Sequence, residues 1–340
     1  MTNSLKIAVL HGGPSSEHAI SVWSAQGAIA ALRELGHDVH PVYVGRDSHW
    51  YFSDGHADAG ATTANPIRLW AAIELLSELS IDVCFMGFHG TFGEDGKVQA
   101  ALELVGLRYT GSGVAASAVA MDKLFARRVY QGVGIPVAAA VEQPTDTLDE
   151  LQGARIAASA LADQLGLPLV VKVPAGGSSI GVEIPKTVAE VTDSLQRLSV
   201  GVGHLLCEAY VTGTELTAGV LQTADGRLTA LPIVEIVPRI AGFFDQAAKY
   251  QKGGSDEIVP ARISAAAAVA VQDLGLRAHR ALGCRGVSRT DVILRADGQP
   301  VVLETNTLPG LTPASLLPKA AAAAGKSYRD LIGAIVDAAL

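Results

Sequence analysis

Short apolar runs alternating with amphipathic stretches organise the first third of the chain. Lys6-Ile7-Ala8-Val9-Leu10 reads as a buried strand that ends in His11-Gly12-Gly13-Pro14, and a helical pattern then runs from about 16 to 35 and stops at Gly36. A strand over 39–44, an irregular stretch to Asn65-Pro66, a helix near 67–79 and a strand over 81–86 follow. Strand and helix in this order predict βαβ units on a parallel sheet. The loop 87–97, GFHGTFGEDGK, leaves the third of these strands at its C-terminal end, where open parallel sheets bind ligands.

Beyond Leu107-Gly113 the periodicity changes. A helix over 114–132 leads to a short extended entry at 134–137, a helix around 148–165, a buried strand at 169–173, a glycine-serine loop, a strand at 182–184 and a helix near 188–198. From 204 the signals are mostly antiparallel until alanine-rich helices at 264–282 and 314–340. Three units are expected: 1–113, 114–203 and 204–340. Residues 240–260 carry tandem glycines and charges without a clear period, which predicts a mobile loop.

The most informative alternation lies in Ser288 to Asn306, SRTDVILRADGQPVVLETN. Asp297-Gly298 between β-rich runs signals a two-residue hairpin turn. Counting outward pairs Asp291 with Glu304 and Arg289 with Asn306 on one face, and places Val292, Leu294, Val301 and Leu303 on the other. The apolar face is core. Two carboxylates directly across a strand pair repel each other. A hard divalent ion removes that penalty, and two carboxylates with an amide oxygen suit Mg²⁺ bound with a nucleotide. A solvated edge hairpin in which Arg289 bridges both acids is the alternative.

Composition narrows the partners. With 340 residues, 49% hydrophobic and 18% charged, the chain is an ordinary globular protein able to hold several domains. A net charge of -8 without a lysine or arginine run argues against nucleic acid or a membrane surface as partner. Cys84, Cys207 and Cys284 lie far apart without CxxC, as expected of buried thiols in a reducing compartment. The N-terminus enters a strand directly, which predicts no signal peptide, and no window has the apolar length of a membrane span. A cytoplasmic location is expected.

The loop Pro174-Ala175-Gly176-Gly177-Ser178-Ser179-Ile180-Gly181 follows a strand that ends in Lys172-Val173. Its glycines, Gly177 among them, allow close backbone approach to an anion, and Ser178, Ser179 and Lys172 add donors. A plain turn is the other reading, and no Walker-type GxxxxGK[ST] is present. Glu208 and Glu215 flank Thr212-Gly213 where ribose hydroxyls could be received, or are surface acids. Lys123 and Lys172 are phosphate contacts or solvated ammonium groups.

Taken together, Glu17 in HGGPSSEHAIS, His89-Gly90 with FGEDG, YTGSG with Met121-Asp122-Lys123, Lys172, GGSSIGV, Glu208 with Glu215, Lys249-Tyr250, and RTD with ETNTLPGLTPAS resemble the D-alanine-D-alanine ligase family, carboxylate-amine ligases of the ATP-grasp fold. The likeness runs from about Lys6 to Gly325. It implies an α/β preATP-grasp unit followed by two α+β subdomains that clamp ATP. It also implies ATP as co-substrate, D-alanine as substrate, two Mg²⁺ ions that Mn²⁺ can replace, a homodimer, and a role in peptidoglycan synthesis.

By the same resemblance, Asp291, Glu304 and Asn306 hold metal, and Arg289 with the amide of Gly310 steadies the acyl phosphate and the oxyanion. Lys123, Lys172, Gly177, Ser178 and Ser179 belong to the ATP site, with Glu208 and Glu215 toward the nucleoside and Lys249 at the γ-phosphate. Glu17 beside His89 takes the first D-alanine, and Ser315 with Leu316 takes the carboxylate of the second. Tyr250, Ser178 and Glu17 form a bridge. Read without the resemblance, Glu17 is equally a helix-capping charge, His89 a turn residue, Tyr250 amphipathic surface and Ser315 a cap.

Gly176 stands where the family usually has a glutamate, and Ala175 where an arginine is common. Thr305 replaces a frequent alanine and is expected to alter only packing. A D-alanine-D-lactate ligase is the nearest rival, and Tyr250, where such relatives tend to have phenylalanine, favours the amine acceptor. A nicotinamide dehydrogenase lacks its fingerprint, since HGGPSS is not GxGxxG and no acid ends the second strand at Val44. A silent nucleotide-binding regulator is disfavoured by Arg289, Asp291, Glu304 and Asn306.

Overall fold

The computed structural model describes residues 4–52, 65–177, 180–239 and 254–340. Its first unit comprises β1 (Lys6–Gly12), α1 (His18–Glu34), β2 (Asp38–Val44), β3 (Trp50–Phe52), α2 (Leu69–Glu78), β4 (Val83–Met86) and α3 (Lys97–Leu104). The sheet order is β3-β2-β1-β4, with β1 parallel to both β2 and β4 as the βαβ pattern predicts. Strand β1 is apolar without alternation because both of its faces are covered. Ile7 and Val9 pack on Ala25, Ala28, Ile29 and Leu32 of α1, while Ala8 and Leu10 pack on the side of Ile73, Leu76 and Leu102. The short strand β3, antiparallel to β2, lies in the stretch read as irregular, and α3 follows directly on the loop 87–97, in a segment given no element from the sequence.

Residues 114–132 form two helices, α4 (Val114–Met121) and α5 (Lys123–Gly132), where one was expected. Asp122 between them is extended, and its carboxylate accepts from Leu124 N and Phe125 N, so an N-cap restarts the helix. The middle unit continues with β5 (Ala140–Pro144), α6 (Leu151–Leu165), β6 (Leu169–Lys172), β7 (Val182–Glu183), α7 (Val188–Leu198) and β8 (His204–Ala209). Its antiparallel sheet runs β5-β8-β6-β7. Because β8 lies between β5 and β6, the unit extends past the boundary expected at 204. In the other direction, Ala120, Ala126 and Tyr130 of α4 and α5 pack against Leu216, Ala218, Val292 and Val302, so this helix pair belongs with the last unit's core.

The last unit holds β9 (Thr214–Gln222), β10 (Leu228–Ala230), β11 (Val234–Pro238), β12 (Ser255–Ile258), α8 (Ala265–Leu282), β13 (Val287–Leu294), β14 (Pro300–Asn306), α9 (Leu316–Ala323) and α10 (Tyr328–Asp337). The sheet order is β12-β11-β9-β13-β14, antiparallel throughout, with β10 also on β9. Of the loop expected at 240–260, residues 240–253 lie outside the described residues and the remainder includes β12. The first and last units share one core, in which Leu32 and Phe85 join Val234, Ile236, Leu317, Ile332 and Ile335. The middle sheet has its own core, including Leu161, Val171, Leu195 and Cys207.

Candidate active site

The β13–β14 hairpin carries the acidic pair. Asp291 faces Glu304 and Arg289 faces Asn306, the register read from the sequence. The turn that produces it differs. Gly298 N donates to Arg295 O at 2.9 Å and Arg295 N to Gln299 O at 3.0 Å, so the loop is Ala296-Asp297-Gly298, with Gly298 at φ 82°. This shifts pairing by one near the turn, to Leu294 with Pro300 and Val292 with Val302, and an irregularity after Asp291 absorbs the shift. Leu303, expected on the core face, therefore lines the same cleft as Asp291 and Glu304, and Val302 takes the core position. Thr305 does turn inward, but into a hydroxyl chain: its Oγ1 meets Tyr130 OH at 2.7 Å and Thr290 Oγ1 at 2.9 Å.

Each carboxylate has a cation beside it. Arg289 Nε and Nη2 each donate to Asp291 at 2.9 Å, and Thr217 Oγ1 adds a bond of 2.7 Å. Lys123 Nζ stands 3.7 Å from Glu304 Oε2. Asn306 is half-buried, and its amide nitrogen is buried without a hydrogen-bond partner among the described residues. Among those residues no group of three or more His, Cys, Asp or Glu side chains forms a metal cage.

A cleft of about 420 Å³ runs from this pair between the middle and last sheets. Val170, Ile184, Ile293 and Leu303 give it apolar walls, while Lys123, Lys172, Glu208 and Glu215 supply charge. A flat ring with a polyphosphate tail matches that division. Lys123 Nζ also donates to Gly176 O at 2.9 Å, tying α5 to the glycine loop. Lys172 Nζ lies 2.5 Å from Glu208 Oε2, and Arg127, a residue the sequence did not single out, approaches Glu208 Oε1 at 3.3 Å. Glu208 is thus buried between two cations. Ser178, Ser179, Lys249 and Tyr250 lie outside the described residues.

A second pocket, about 450 Å³, is lined by Glu17, His89, Glu94, Arg289, Asn306, Gly310, Ser315 and Leu316, and the bonds of Arg289 to Asp291 tie it to the first. Glu17 takes the N-cap position of α1 but makes no side-chain cap bond. Its carboxylate instead fills the space beside Gly90 and Gly177, where a Cβ on either glycine would fall against Oε2. Gly177 of the middle unit is therefore placed at Glu17 of the first. His89 is buried, with Nδ1 3.0 Å from Leu308 O and Nε2 2.8 Å from Ser24 Oγ. Burial lowers its pKa from the ordinary value. Glu94 accepts from Gly90 N at 3.1 Å and Leu308 N at 3.2 Å, and burial pushes it up to about 8. Ser315 precedes α9 without capping it; its Oγ meets Thr312 Oγ1 at 2.8 Å.

Two family patterns match the chain: the D-ala D-ala ligase N-terminus over residues 6–112 and the D-ala D-ala ligase C-terminus over residues 129–337. The chain belongs to the D-alanine-D-alanine ligase family. It is 40% identical over 335 residues to a D-alanine-D-alanine ligase of Desulforudis audaxviator, with 97% of each chain covered. It is 42% identical over 340 residues to that of Gluconobacter oxydans, with 99% of each covered. The crystal structure of the D-alanine-D-alanine ligase from Bacillus anthracis complexed with ATP is 30% identical, with a TM-score of 0.76 over 99% of this chain and 97% of that one. The fold is accordingly the ATP-grasp fold expected from the motifs.

Among the described residues, Lys123, Lys172, Glu208, Glu215, Asp291 and Glu304 line the first cavity, and Glu17, His89, Arg289, Asn306, Gly310, Ser315 and Leu316 line the second. Arg127, Glu94 and Ser24 escaped notice. The FGEDG run marked the segment that holds Glu94. Nothing local distinguishes Arg127 or Ser24, since their partners lie 81 and 65 residues away along the chain.

Proposed function

We propose that the chain joins two D-alanine molecules into D-alanyl-D-alanine, using ATP and passing through D-alanyl phosphate. Membership of the ligase family over nearly the whole chain supports this. The observation that carries it is the position of Arg289. One guanidinium lines the pocket of Glu17 and Gly310 while gripping Asp291 of the nucleotide cleft. A carboxylate held in the pocket thus lies next to where a terminal phosphoryl group would sit.

Lys123 and Lys172 hold the phosphates, and Glu215 receives the ribose. Glu17 pairs with the ammonium of the first D-alanine, leaving its carboxylate toward Arg289. A carboxylate oxygen attacks the γ-phosphorus and ADP departs. The amine of the second D-alanine, its own carboxylate held by Ser315 and Leu316, then attacks the acyl carbon. Arg289 and the Gly310 amide stabilise the oxyanion, and phosphate leaves with the bridging oxygen. On the family resemblance, Lys249 approaches the γ-phosphate and Tyr250 with Ser178 completes the bridge to Glu17, excluding water from the acyl phosphate.

Asp291, Glu304 and the amide oxygen of Asn306 are hard donors carried on one face of the hairpin, a donor set that suits two Mg²⁺ ions, or Mn²⁺ in their place. Bound there, Mg²⁺ supplies charge neutralisation for the transferring phosphoryl group. With Asp291 engaged by a metal, Arg289 would be released from it toward the substrate carboxylate. Family membership further supports cytoplasmic action, a homodimer, and delivery of the dipeptide to peptidoglycan synthesis. No helix among the described residues is long and apolar enough to cross a membrane.

D-alanine labelled with ¹⁸O in its carboxylate tests the route. One label atom is expected in the released phosphate for each dipeptide formed. Unlabelled phosphate accompanying labelled dipeptide would contradict it.

A further inference from the structure

The segment that carries Gly310 belongs to the last unit, yet it is held from the first. Leu308 O lies 3.0 Å from His89 Nδ1, and Leu308 N donates to Glu94 Oε1 at 3.2 Å. Leu311 N donates to Ser24 Oγ at 3.3 Å, and that same oxygen lies 2.8 Å from His89 Nε2. Both flanks of Gly310 are therefore anchored to one cluster on α1 and the loop after β4.

The donors and acceptors in this cluster admit one assignment. A carbonyl only accepts, so His89 carries its proton on Nδ1 and gives it to Leu308 O. Burial keeps the ring neutral, which leaves Nε2 as an acceptor. Ser24 must then donate to Nε2, and its remaining lone pairs take the Leu311 N–H. Both ring nitrogens of His89 are used within the protein. Ser24 is 1% exposed and His89 4% exposed, which leaves little surface for a substrate to touch.

We propose that Ser24 and His89 are positioning residues that fix the Gly310 amide, so that His89, expected from the sequence to bind D-alanine, acts through the loop instead. This rests on the reading of Gly310 as an oxyanion donor. An oxyanion donor works only if it is preorganised at the place where charge develops. Such a role affects the transition state more than the bound substrate, and it therefore moves kcat more than KM.

Ser24→Ala removes the hydroxyl from both partners at once and leaves every proposed substrate contact intact. Dipeptide formation by the parent, assayed alongside, establishes the underlying reading independently of the variant. The expected result is a fall in kcat of about tenfold or more, part of what losing such a donor outright costs, with KM for ATP and for the first D-alanine within about twofold of the parent. A phosphinic-acid dipeptide that mimics the tetrahedral intermediate should lose affinity by a comparable factor. Parental kcat and parental analogue affinity in Ser24→Ala would overturn the proposal, as would a raised KM for D-alanine with kcat unchanged.

Should Ser24→Ala not fold, His89→Asn and His89→Ala decide the matter. The asparagine amide can replace Nδ1–H toward Leu308 O, so His89→Asn should retain clearly more kcat than His89→Ala. Equal losses in the two would count against a positioning role.

Discussion

At Asp291 and Glu304, two acids face each other across β13 and β14, and Arg289 and Lys123 neutralise them from either side. On the proposed function, ATP with its metal would bring cations for the acids and phosphates for Lys123, exchanging both pairs. Glu304→Gln keeps the shape and halves the acid pair. It is expected to lower kcat by about 10² or more while the protein stays folded, as loss of preorganised transition-state charge does. ADP release beside the parent checks it, and a variant of parental activity would remove Glu304 from the mechanism.

Glu94 makes a different prediction at the same scale. Burial raises its folded pKa to about 8 from an ordinary 4.5. Between those values the folded protein keeps a proton that the unfolded chain has lost. The stability Glu94 contributes is therefore fully present below about pH 4.5 and lost as pH rises through 8. Urea unfolding across that window should show the parent weakening relative to Glu94→Gln by about 1.4 kcal/mol per pH unit. A pH-independent difference would refute the assignment. Glu17, Asp291, Glu304, Lys123 and Lys172 were legible in the sequence because their motifs are local, whereas Glu94 was marked only by its segment. Ser24 was not, since its role comes from neighbours supplied by β4's loop and by residues 308–311.

Among elements, the hairpin shows what alternation can and cannot settle. The pairing of Asp291 with Glu304 was legible, but Val301-Val302-Leu303 is apolar at every position, so hydrophobicity cannot say which residue is the extra one. The longer loop ending in Gly298 decides it, turning Leu303 to the cleft. Behind the hairpin, Thr305→Ala would leave Tyr130 OH and Thr290 Oγ1 buried and short of a partner, an expected cost of about 1–3 kcal/mol in denaturant unfolding. No measurable change would mean the hydroxyls find water instead. The glycine loop meets α1 through Gly177, where a Cβ would fall against Glu17 Oε2. Gly177→Ala should therefore fold like the parent but raise KM for the first D-alanine by about tenfold, equivalent to about 1.4 kcal/mol of binding; an unchanged KM would separate this loop from the substrate site.

For the molecule as a whole, the cores divide the chain differently from its order. The first and last units share one core, whereas the middle sheet closes on its own. Sequence periodicity marked the principal elements, though not β3, α3 or the break between α4 and α5, and it did not mark this division. Both Leu32 of α1 and Ile332 of α10 read simply as apolar helix positions, and their meeting is a matter of topology. Hydrogen exchange is expected to show the middle sheet, β5 to β8, opening separately from β1 and β9, with ATP and Mg²⁺ drawing the two together because both sheets line the cleft proposed for the nucleotide. One uniform protection level with and without nucleotide would contradict that. The central claim remains catalytic. Incubation with ATP, Mg²⁺ and D-alanine alone, followed by mass detection, should yield D-alanyl-D-alanine, ADP and phosphate in equal amounts. Absence of the dipeptide, or ADP release only when D-lactate is supplied as acceptor, would contradict the account.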